Sequence, residues 1–425
     1  MFFCILSAFA SAQLTSNGKY ITYQQVTSTN DTVLVFVFNG ITATDTISYT
    51  GSSSNANWFE YSETISNTSN YFPNLTNIKD ATGYILVVDG KQTAIWVIDY
   101  KNYFPAFNSI AAEFDPTNQC DDLNILLDIK PLTYRTPSGT PQNLPRDFKV
   151  SYQTREWTES WNTIDVDTTI TLASPVSTIS LPAPLCDTYY TISEDKIASE
   201  LGLTDVPLKS QLYLAVAIKN NLTSVVTTRD EKNEAERPSV ATQISGSAPL
   251  EVQFLSNANE PVARFYNWTI YKDNQMIINR TDKDHRYTFS ETGTFEVKLV
   301  TTNGVCTDSS SITITVSESK LEVPNVFTPN GDGYNDEFRV AFKSIVKFDC
   351  WVYNRWGRLM YHWTDPTKGW DGTVGGKKAS PGPYFYVIKA EGSDFDPNSE
   401  PDKKTKKRIG EYLLKGDINL LRGRK

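Results

Sequence analysis

Short apolar runs rich in β-branched and aromatic residues recur along almost the whole sequence, and they constrain the fold more than any other feature. Examples are TVLVFVF, TAIWVIDY, DFKVSYQT, TFEVKLVTT and YFYVIKA. Clusters of Gly, Pro, Asn, Asp and Ser separate these runs at the spacing typical of tandem β-sandwiches. The pattern therefore predicts an all-β protein built from several sandwich domains.

One stretch, SEDKIASELGL, predicts a helix rather than a strand. Ser193 is placed to cap this helix, Ile197 and Leu201 share one face, and Gly202 closes it. We expect a short helix within a connection between strands.

A chain of 425 residues is too long for a single hydrophobic core, so we expect several domains. The strand pattern weakens at YKNYFPAFN, at the charged stretch TTRDEKNEAERPS and at VSESKLEVPN. Charged and proline-containing stretches of this kind are typical of domain boundaries. We predict four domains, over residues 14–104, 105–238, 239–318 and 319–425.

The first residues, MFFCILSAFASAQ, form a short apolar run that ends in Ala10-Ser11-Ala12, the small-x-small form of a signal-peptidase site. Residues 1–12 are therefore predicted to be a signal peptide, with Gln13 as the first residue of the exported chain. No later stretch approaches about 18 uninterrupted apolar residues, so we expect no transmembrane span. The net charge of −9 argues against a nucleic-acid partner, because such proteins need a basic surface.

Removal of the signal peptide leaves Cys120, Cys186, Cys306 and Cys350. An even number of cysteines in an exported chain permits disulfides without fixing their pairing. We predict a disulfide between Cys120 and Cys186, because both fall in the second predicted domain. Cys306 and Cys350 lie in neighbouring domains and are interpreted as buried thiols.

Histidine is scarce, and this limits both zinc binding and catalysis. The sequence contains only His285 and His362, and it lacks any C-x-x-C pair, so we expect no zinc site. No G-x-S-x-G elbow, phosphate-binding glycine loop or H-E-x-x-H motif is present. We therefore predict a protein that is not an enzyme.

The third predicted domain, residues 239–318, contains YTFSETGTFEVKLVTTNGVCTDSSSITITV. Gly293 supplies a turn, after which Phe295, Val297 and Leu299 alternate with mostly polar residues, as in a strand with one buried face. This domain resembles the polycystic-kidney-disease (PKD) repeat of extracellular Ig-like proteins, although the family's W-D-F-G-D-G stretch is represented only by WTI. The resemblance implies an Ig-like sandwich that serves as a spacer, and it extends the all-β prediction to tandem Ig-like β-sandwich domains.

The last domain carries several motifs in order: VPNVFTPNGDGYNDEF, FDCWVYNRWGRLMY, WDGTVGGKKASPGPYFYVIKA and LLKGDINLLR. Together they closely resemble the type B sorting domain of Bacteroidota, also called the gliding-motility-associated C-terminal domain. The resemblance implies export through the type IX translocon. It also implies a partner of the SprF/PorP family, a β-barrel protein that holds the chain at the outer membrane.

The resemblance further marks residues within these motifs as positions for sorting or partner docking. The final run, EYLLKGDINLLR, is interpreted as an edge strand, where a partner can add a strand of its own. The marked positions are Asn330, Gly331, Asp332, Gly333, Asn335, Asp336, Arg355, Trp356, Gly357, Trp370, Asp371, Gly372, Lys415 and Gly416.

The loop TPNGDGYND permits two interpretations. Asn330, Asp332, Asn335 and Asp336 present the oxygen ligands that a Ca²⁺ ion accepts, although no bidentate Glu follows as in an EF-hand. The alternative, which we favour, is an Asx-rich turn whose side chains bond their own backbone. We expect no other cofactor.

The leading hypothesis is a non-enzymatic cell-surface protein, a compact component of the surface or secretion machinery. The alternative is a secreted adhesin or a protein that binds carbohydrate or a host ligand. Trp58 and Phe59, in an aromatic and polar stretch of the first domain, would then contribute to the binding surface. We favour ordinary turns for that stretch.

Overall fold

The computed structural model describes residues 13–26, 32–65, 71–113, 119–228, 232–236, 244–404 and 406–422. The predicted signal peptide, residues 1–12, lies outside them. The chain divides into two compact units, Met1–Ala217 and Ile218–Lys425. Strands dominate both units, which confirms the all-β prediction.

Unit 1 contains a short helix, α1 (Lys196–Glu200), and a 3-10 turn at Tyr100–Tyr103. Its strands are β1 (Leu14–Ser16), β2 (Tyr20–Val26), β3 (Thr32–Phe38), β4 (Ile47–Tyr49), β5 (Ala56–Glu60), β6 (Asn74–Leu75), β7 (Thr82–Val88), β8 (Lys91–Asp99), β9 (Phe107–Glu113), β10 (Asp122–Ile129), β11 (Thr133–Arg135), β12 (Pro141–Asn143), β13 (Arg146–Trp157), β14 (Trp161–Leu172), β15 (Val176–Pro182), β16 (Thr191–Ser193) and β17 (Leu208–Lys209).

The strands of unit 1 form a five-stranded sheet of order β2-β3-β8-β7-β5, which packs on the sheet β1-β4-β6. Strand β3 is buried at every position from Val33 to Phe38, because both faces of the sheet are covered there. Leu34, Phe36 and Phe38 point to the core shared with β4, while the valines between them point the other way.

Those valines belong to a second core that joins the first two predicted domains. Val33, Val35 and Val37 cluster with Leu132 and Ile197, which come from residues assigned to the second domain. The remaining strands of unit 1 form a sandwich of two further sheets, β15-β10-β9 and β14-β13-β16-β17, with the hairpin β11-β12 beside them. The sequence therefore folds its first two predicted domains around a shared core.

Helix α1 exists, but its N-cap differs from the prediction. Ser193 ends strand β16, and the side chain of Asp195 accepts the N–H groups of Ile197 and Ala198 instead. An Asp at this position satisfies backbone donors that an α-helix leaves unpaired. The prediction failed because strand pairing extended to Ser193, opposite Lys149.

The predicted Cys120–Cys186 disulfide is wrong, because Cys186 is a free thiol. The chain leaves the β10-β15 ladder after Pro182 and turns toward β13, where the Leu185 N–H bonds Thr154 Oγ1 at 3.0 Å. Burial raises the pKa of the Cys186 thiol, against a smaller opposite effect of the Arg155 charge. Membership of one domain was therefore not a sufficient guide to pairing.

Unit 2 consists of strands and connecting loops in its described residues. Its strands are β18 (Thr223–Val226), β19 (Ser245–Gly246), β20 (Leu250–Leu255), β21 (Phe265–Lys272), β22 (Gln275–Arg280), β23 (His285–Phe289), β24 (Gly293–Thr302), β25 (Thr307–Val316), β26 (Lys320–Glu322), β27 (Val326–Phe327), β28 (Ala341–Lys343), β29 (Ile345–Tyr353), β30 (Leu359–Trp363), β31 (Thr373–Val374), β32 (Lys377–Lys378), β33 (Gly382–Gly392) and β34 (Glu411–Leu420).

The first sandwich of unit 2 pairs the sheets β18-β20-β23 and β19-β25-β24-β21-β22. Phe295, Val297 and Leu299 on β24 are buried, as their alternation predicts. Strand β18, which was predicted to belong to the second domain, pairs with β20 along its whole length. Its backbone ladder therefore places β18 with the third predicted domain, and the predicted boundary at residue 238 lies too far along the chain.

The second sandwich of unit 2 has a five-stranded sheet of order β27-β34-β33-β29-β30. Its core includes Cys350, a buried free thiol as predicted, together with Trp363 and Trp370. The same interpretation is wrong for Cys306, which is disulfide-bonded. Strand β34 is not an edge strand at its C-terminal end, because Val326 and Phe327 of β27 pair with it in parallel. The edge-strand prediction therefore needs correction at Asn419–Leu420.

The two sandwiches of unit 2 are joined by a buried serine. Ser344, which is fully buried, accepts the Ala248 N–H at 2.9 Å and donates to the Ser317 carbonyl at 2.9 Å. Beside it, residues 232–236 run parallel to β28, and Lys343 pairs with Glu236 at 3.0 Å. Hydrogen bonds from both sides thus anchor the start of β29.

Candidate functional site

The strand register brings most of the predicted docking motifs to one end of the five-stranded sheet. Phe327, which ends β27, lies opposite Leu420 near the end of the chain, and Tyr353, which ends β29, lies opposite Phe385 near the start of β33. Gly382, the first residue of β33, pairs with the same Leu420. The segments that follow or precede these ends therefore meet, and we call them the loop end: residues 328–336, 354–358, 370–373, 379–383 and 420–422.

The loop 328–336 is organised by the carboxylate of Asp336. Its Oδ1 accepts the N–H groups of Asn330 at 2.9 Å and Gly331 at 2.6 Å, and its Oδ2 accepts that of Gly333 at 2.8 Å. Both glycines have positive φ, 84° and 86°, which other residues adopt only with strain. The donated hydrogen bonds favour the charged form and lower the pKa of Asp336.

A second set of bonds closes the same loop. Asp332 Oδ1 accepts the Tyr334 N–H at 2.8 Å, Asn330 Oδ1 accepts the Asp332 N–H at 3.0 Å, and the Asn335 carbonyl accepts the Thr328 N–H at 2.7 Å. These contacts are those of the Asx-rich turn. In the described parts of the chain, no group of three or more His, Cys, Asp or Glu side chains is arranged to hold a metal ion. The calcium interpretation stays a prediction.

The turn between β29 and β30 presents an aromatic side chain to solvent. Asn354 Oδ1 accepts the N–H groups of Trp356 and Arg358, both at 3.0 Å, and Gly357 occupies the positive-φ position. Trp356 is 78% exposed, and the Arg355 guanidinium lies 4.8 Å from its ring centroid. A large exposed aromatic held by a rigid turn is typical of a contact residue.

Trp370 does not belong to a docking surface, although the family resemblance placed it there. Its side chain is fully buried, its indole N–H donates to the Thr373 carbonyl at 2.7 Å, and its ring packs on Phe327 and Tyr384. It also exchanges backbone hydrogen bonds with Phe338. Trp370 therefore holds the loop end together from inside.

The residues after Trp370 contribute to the surface of the loop end. Asp371 is exposed and accepts the N–H and hydroxyl of Thr373, at 2.9 and 2.8 Å. The Gly372 carbonyl accepts Arg422 Nη2 at 2.9 Å, and the same guanidinium reaches the Pro329 carbonyl at 3.3 Å. Arg422 thus ties the end of the chain to both motifs.

Two of the predicted docking residues lie elsewhere. Lys415 and Gly416 pair with Val387 and Tyr386 in the middle of the β33-β34 ladder, away from the loop end. Gly416 lies against the Tyr386 ring, which occupies the space that a side chain at position 416 would need. The predicted set therefore divides into a surface at one end and a pair within the sheet.

Sequence reasoning predicted Arg355 and Trp356 as docking residues but missed the other basic residues near them, Arg358, Lys377 and Lys378. A groove of about 400 Å³ at the loop end is lined by Arg355, Arg358, Lys377 and Lys378 together with Trp356. The signal was present in the motifs RWGR and GGKK, which each carry two cations. Their proximity depends on strand register, so neither motif indicates a groove by itself.

The aromatic residues proposed for ligand binding in the first domain have structural roles. Trp58 lies in strand β5, packs against the core beneath it, and donates its indole N–H to the Pro73 carbonyl at 3.3 Å. Phe59 is half-buried in the same strand. Strand β5 pairs regularly with β7, so this stretch is part of a sheet rather than a turn.

Comparison with protein families identifies two parts of the chain. Residues 321–405 match the CHU_C type IX secretion signal domain, and residues 112–210 match a fibronectin type III domain. The C-terminal domain is therefore a type IX secretion signal, which marks the chain for export to the cell surface or the medium and implies interaction with the type IX translocon. Neither family description names a catalytic activity.

The solved structures that match the chain are distant in sequence. They include the chicken CNTN1 FN1-FN3 domains (10% identity, 74% of this chain and 96% of that one, TM-score 0.23) and the bacteriophage RB49 Hoc N-terminal domains (11%, 75% and 100%, 0.20). Dimeric latent PorU from Porphyromonas gingivalis matches at 10% identity over 75% of this chain, which spans 34% of PorU, with a TM-score of 0.17. At TM-scores this low, no inference is drawn from these likenesses.

No curated protein matches the chain. Within the described residues, no helix has the length and apolar character needed to cross a membrane.

Proposed function

We propose that this protein is a non-enzymatic component of the bacterial cell surface, exported by type IX secretion through a type B sorting domain. A SprF/PorP-family β-barrel protein would hold it at the outer membrane. The remaining sandwiches, which include a PKD-like repeat, have a structural rather than a catalytic role.

The observation that carries this proposal is the agreement between the secretion-signal match and the geometry of the loop end. The match covers residues 321–405, and the loop end displays its motifs on one rigid sheet. Asp336 and Asn354 hold two of these loops by hydrogen bonds to their backbone, so the loops are preorganised for contact. Preorganised, exposed loops on a secretion domain suit recognition by an export or retention partner.

The alternative of a carbohydrate- or host-ligand-binding adhesin has less support. It relied on Trp58 and Phe59, which pack within a sheet. Loss of glycan binding on substitution of Trp58 would therefore be confounded by loss of packing.

Removal of residues 319–425 tests the export proposal in the native host. We expect the shortened chain to remain inside the cell envelope, while the full chain is digested by protease added to intact cells. Co-purification of the full chain with an outer-membrane β-barrel protein, lost in the shortened chain, would support the retention partner. Delivery of the shortened chain to the surface would contradict the proposal.

A further inference from the structure

The groove beside Trp356 is formed by two hairpins that lie far apart in sequence. Arg355 and Arg358 come from the turn between β29 and β30, and Lys377 and Lys378 from strand β32. Each of these four residues is exposed. The hairpins therefore place four cations around one concavity.

Among the residues that the structure describes, these cations lack ion-pair partners. No carboxylate lies among the described residues that line the groove, and none of the four cations forms an ion pair within the described part of the chain. The arrangement is unusual in a chain with a net charge of −9, whose other lysines often pair with Asp or Glu. Like charges gathered without counter-charges repel one another, and an anionic partner relieves that repulsion.

The groove is also lined by uncharged residues. These are residues 379–383, which lead into β33, together with Met360 and Tyr384. The Tyr384 hydroxyl donates to the Ser380 carbonyl at 2.8 Å and fixes this segment. Trp356 also lines the groove, so a chain lying there would meet an aromatic ring as well as four cations.

We propose that this groove binds an acidic peptide segment of a partner protein. This inference rests on the proposed function and specifies how the sorting domain recognises its partner. Carboxylates of the segment pair with the four cations of the groove. The backbone and the aliphatic side-chain carbons of the segment pack on Trp356 and on residues 379–383. Arginine is suited to this role because its guanidinium pairs with a carboxylate through two parallel hydrogen bonds.

The shape of the site favours a peptide over a lipid surface. A bilayer is planar on this scale and contacts convex or flat patches, whereas the four cations line a concavity of about 400 Å³. Trp356 is the large exposed aromatic residue among the groove residues that the structure describes, and the Arg355 guanidinium lies over its ring. An extended acidic chain meets all four cations at once, while a single phosphate does not.

Binding to the purified full chain tests the proposal directly. The probe is a fluorescein-labelled poly-glutamate peptide, and a poly-glutamine peptide of equal length serves as the uncharged control. Fluorescence anisotropy is measured across a salt series. We expect poly-glutamate to bind with an affinity that falls as salt rises, and poly-glutamine not to bind.

Charge reversal locates the binding to the groove. The Arg355→Glu/Arg358→Glu and Lys377→Glu/Lys378→Glu variants should each weaken poly-glutamate binding by about tenfold or more. Trp356→Ala should weaken it less. The matched control is Lys403→Glu/Lys404→Glu, which reverses two exposed cations of the same domain outside the groove and should leave binding unchanged.

Equal binding by the wild type, the groove variants and the control would overturn the proposal. Binding to phosphatidylglycerol vesicles without binding to poly-glutamate would overturn it too, in favour of a lipid. The groove residues are exposed, so thermal unfolding should be the same in every variant, and a variant that unfolds at lower temperature is replaced by the corresponding glutamine substitution.

A cellular measurement separates this inference from the proposed function. In the native host, Arg355→Glu/Arg358→Glu should reach the surface and then be recovered from the medium instead of the outer membrane. Surface delivery of the chain that lacks residues 319–425 would refute the proposed function itself. If that chain stays inside and the groove variant is retained like the wild type, the acidic-peptide inference alone fails.

Discussion

At the scale of single residues, Asp336 determines the conformation of the most distinctive loop. One carboxylate accepts three backbone N–H groups, and these bonds replace the contacts that a strand or helix would provide. The side chain is only partly buried, so its effect is local order rather than a large contribution to global stability. This explains why so polar a loop directly follows a buried strand residue, Phe327.

Substitution Asp336→Ala should loosen residues 330–334 without unfolding the domain. We expect faster amide hydrogen exchange at Gly331 and Gly333, whose N–H groups lose their acceptor. Because the folded state lowers the pKa of Asp336, its stabilisation is present above the ordinary carboxyl pKa and is lost as the pH falls through the lowered value. NMR hydrogen exchange and a pH titration test this, with Asp396→Ala as the control; unchanged exchange at both glycines would contradict it.

A second residue-scale feature is the buried network around Tyr100. Its hydroxyl donates to Asp195 and accepts from Arg146 Nη1 at 3.2 Å, and all three side chains are buried. Burial raises the pKa of Asp195, while Tyr100 and Arg146 act in the opposite direction. The network also supports the cap of α1, since Asp195 is its N-cap residue.

Tyr100→Phe should therefore destabilise unit 1 by about 1–3 kcal/mol, because it removes a donor from a buried carboxylate. Tyr23→Phe is the matched control: its hydroxyl meets Glu200 at 3.2 Å near the surface, and its loss should cost less than about 0.5 kcal/mol. Hydrogen–deuterium exchange of unit 1 peptides in a urea series measures both. Equal effects of the two substitutions would contradict the assigned role of the network.

At the scale of elements, the strands of the last sandwich act as a frame that displays its turns. Local sequence favours these turns, because Gly357, Gly375 and Gly376 adopt the positive φ that tight turns between strands need. The groove was not predicted, because Arg355 and Lys377 become neighbours only through register. For the same reason, the Cys120–Cys186 pairing failed: proximity across sheets depends on the path of the chain after Pro182.

Phe338 and Trp370 form an isolated antiparallel β-bridge through two backbone hydrogen bonds, and this bridge gives an element-scale test. A methyl group at Gly369 would lie 2.6 Å from the Phe338 carbonyl oxygen, which belongs to backbone and cannot turn aside. Gly369→Ala should therefore separate this bridge and destabilise the last sandwich, by about 1–3 kcal/mol. Gly375→Asn is the control, because nothing lies within 4 Å of an added Cβ there and Asn adopts a φ of 56° with little strain. Thermal unfolding compares them, and a Gly369→Ala variant as stable as wild type would contradict the bridge.

At the scale of the whole molecule, each compact unit joins two of the sandwiches that the sequence predicts. In unit 2, Ser344 and the segment 232–236 bond the secretion-signal sandwich to the one before it. Because these hydrogen bonds link the secretion-signal sandwich to the preceding sandwich, the two should be transferred to another protein together. Residues 218–425 are therefore the natural portable part of the chain.

The central claim, that the C-terminal domain directs export, is tested most directly by transfer to a reporter. A periplasmic reporter protein with its own signal peptide is fused to residues 218–425 and produced in the native host, and protease accessibility on intact cells is measured. The fusion is predicted to become accessible at the surface, while the same reporter fused to residues 13–217 stays protected. Equal protection of the two fusions would contradict the claim.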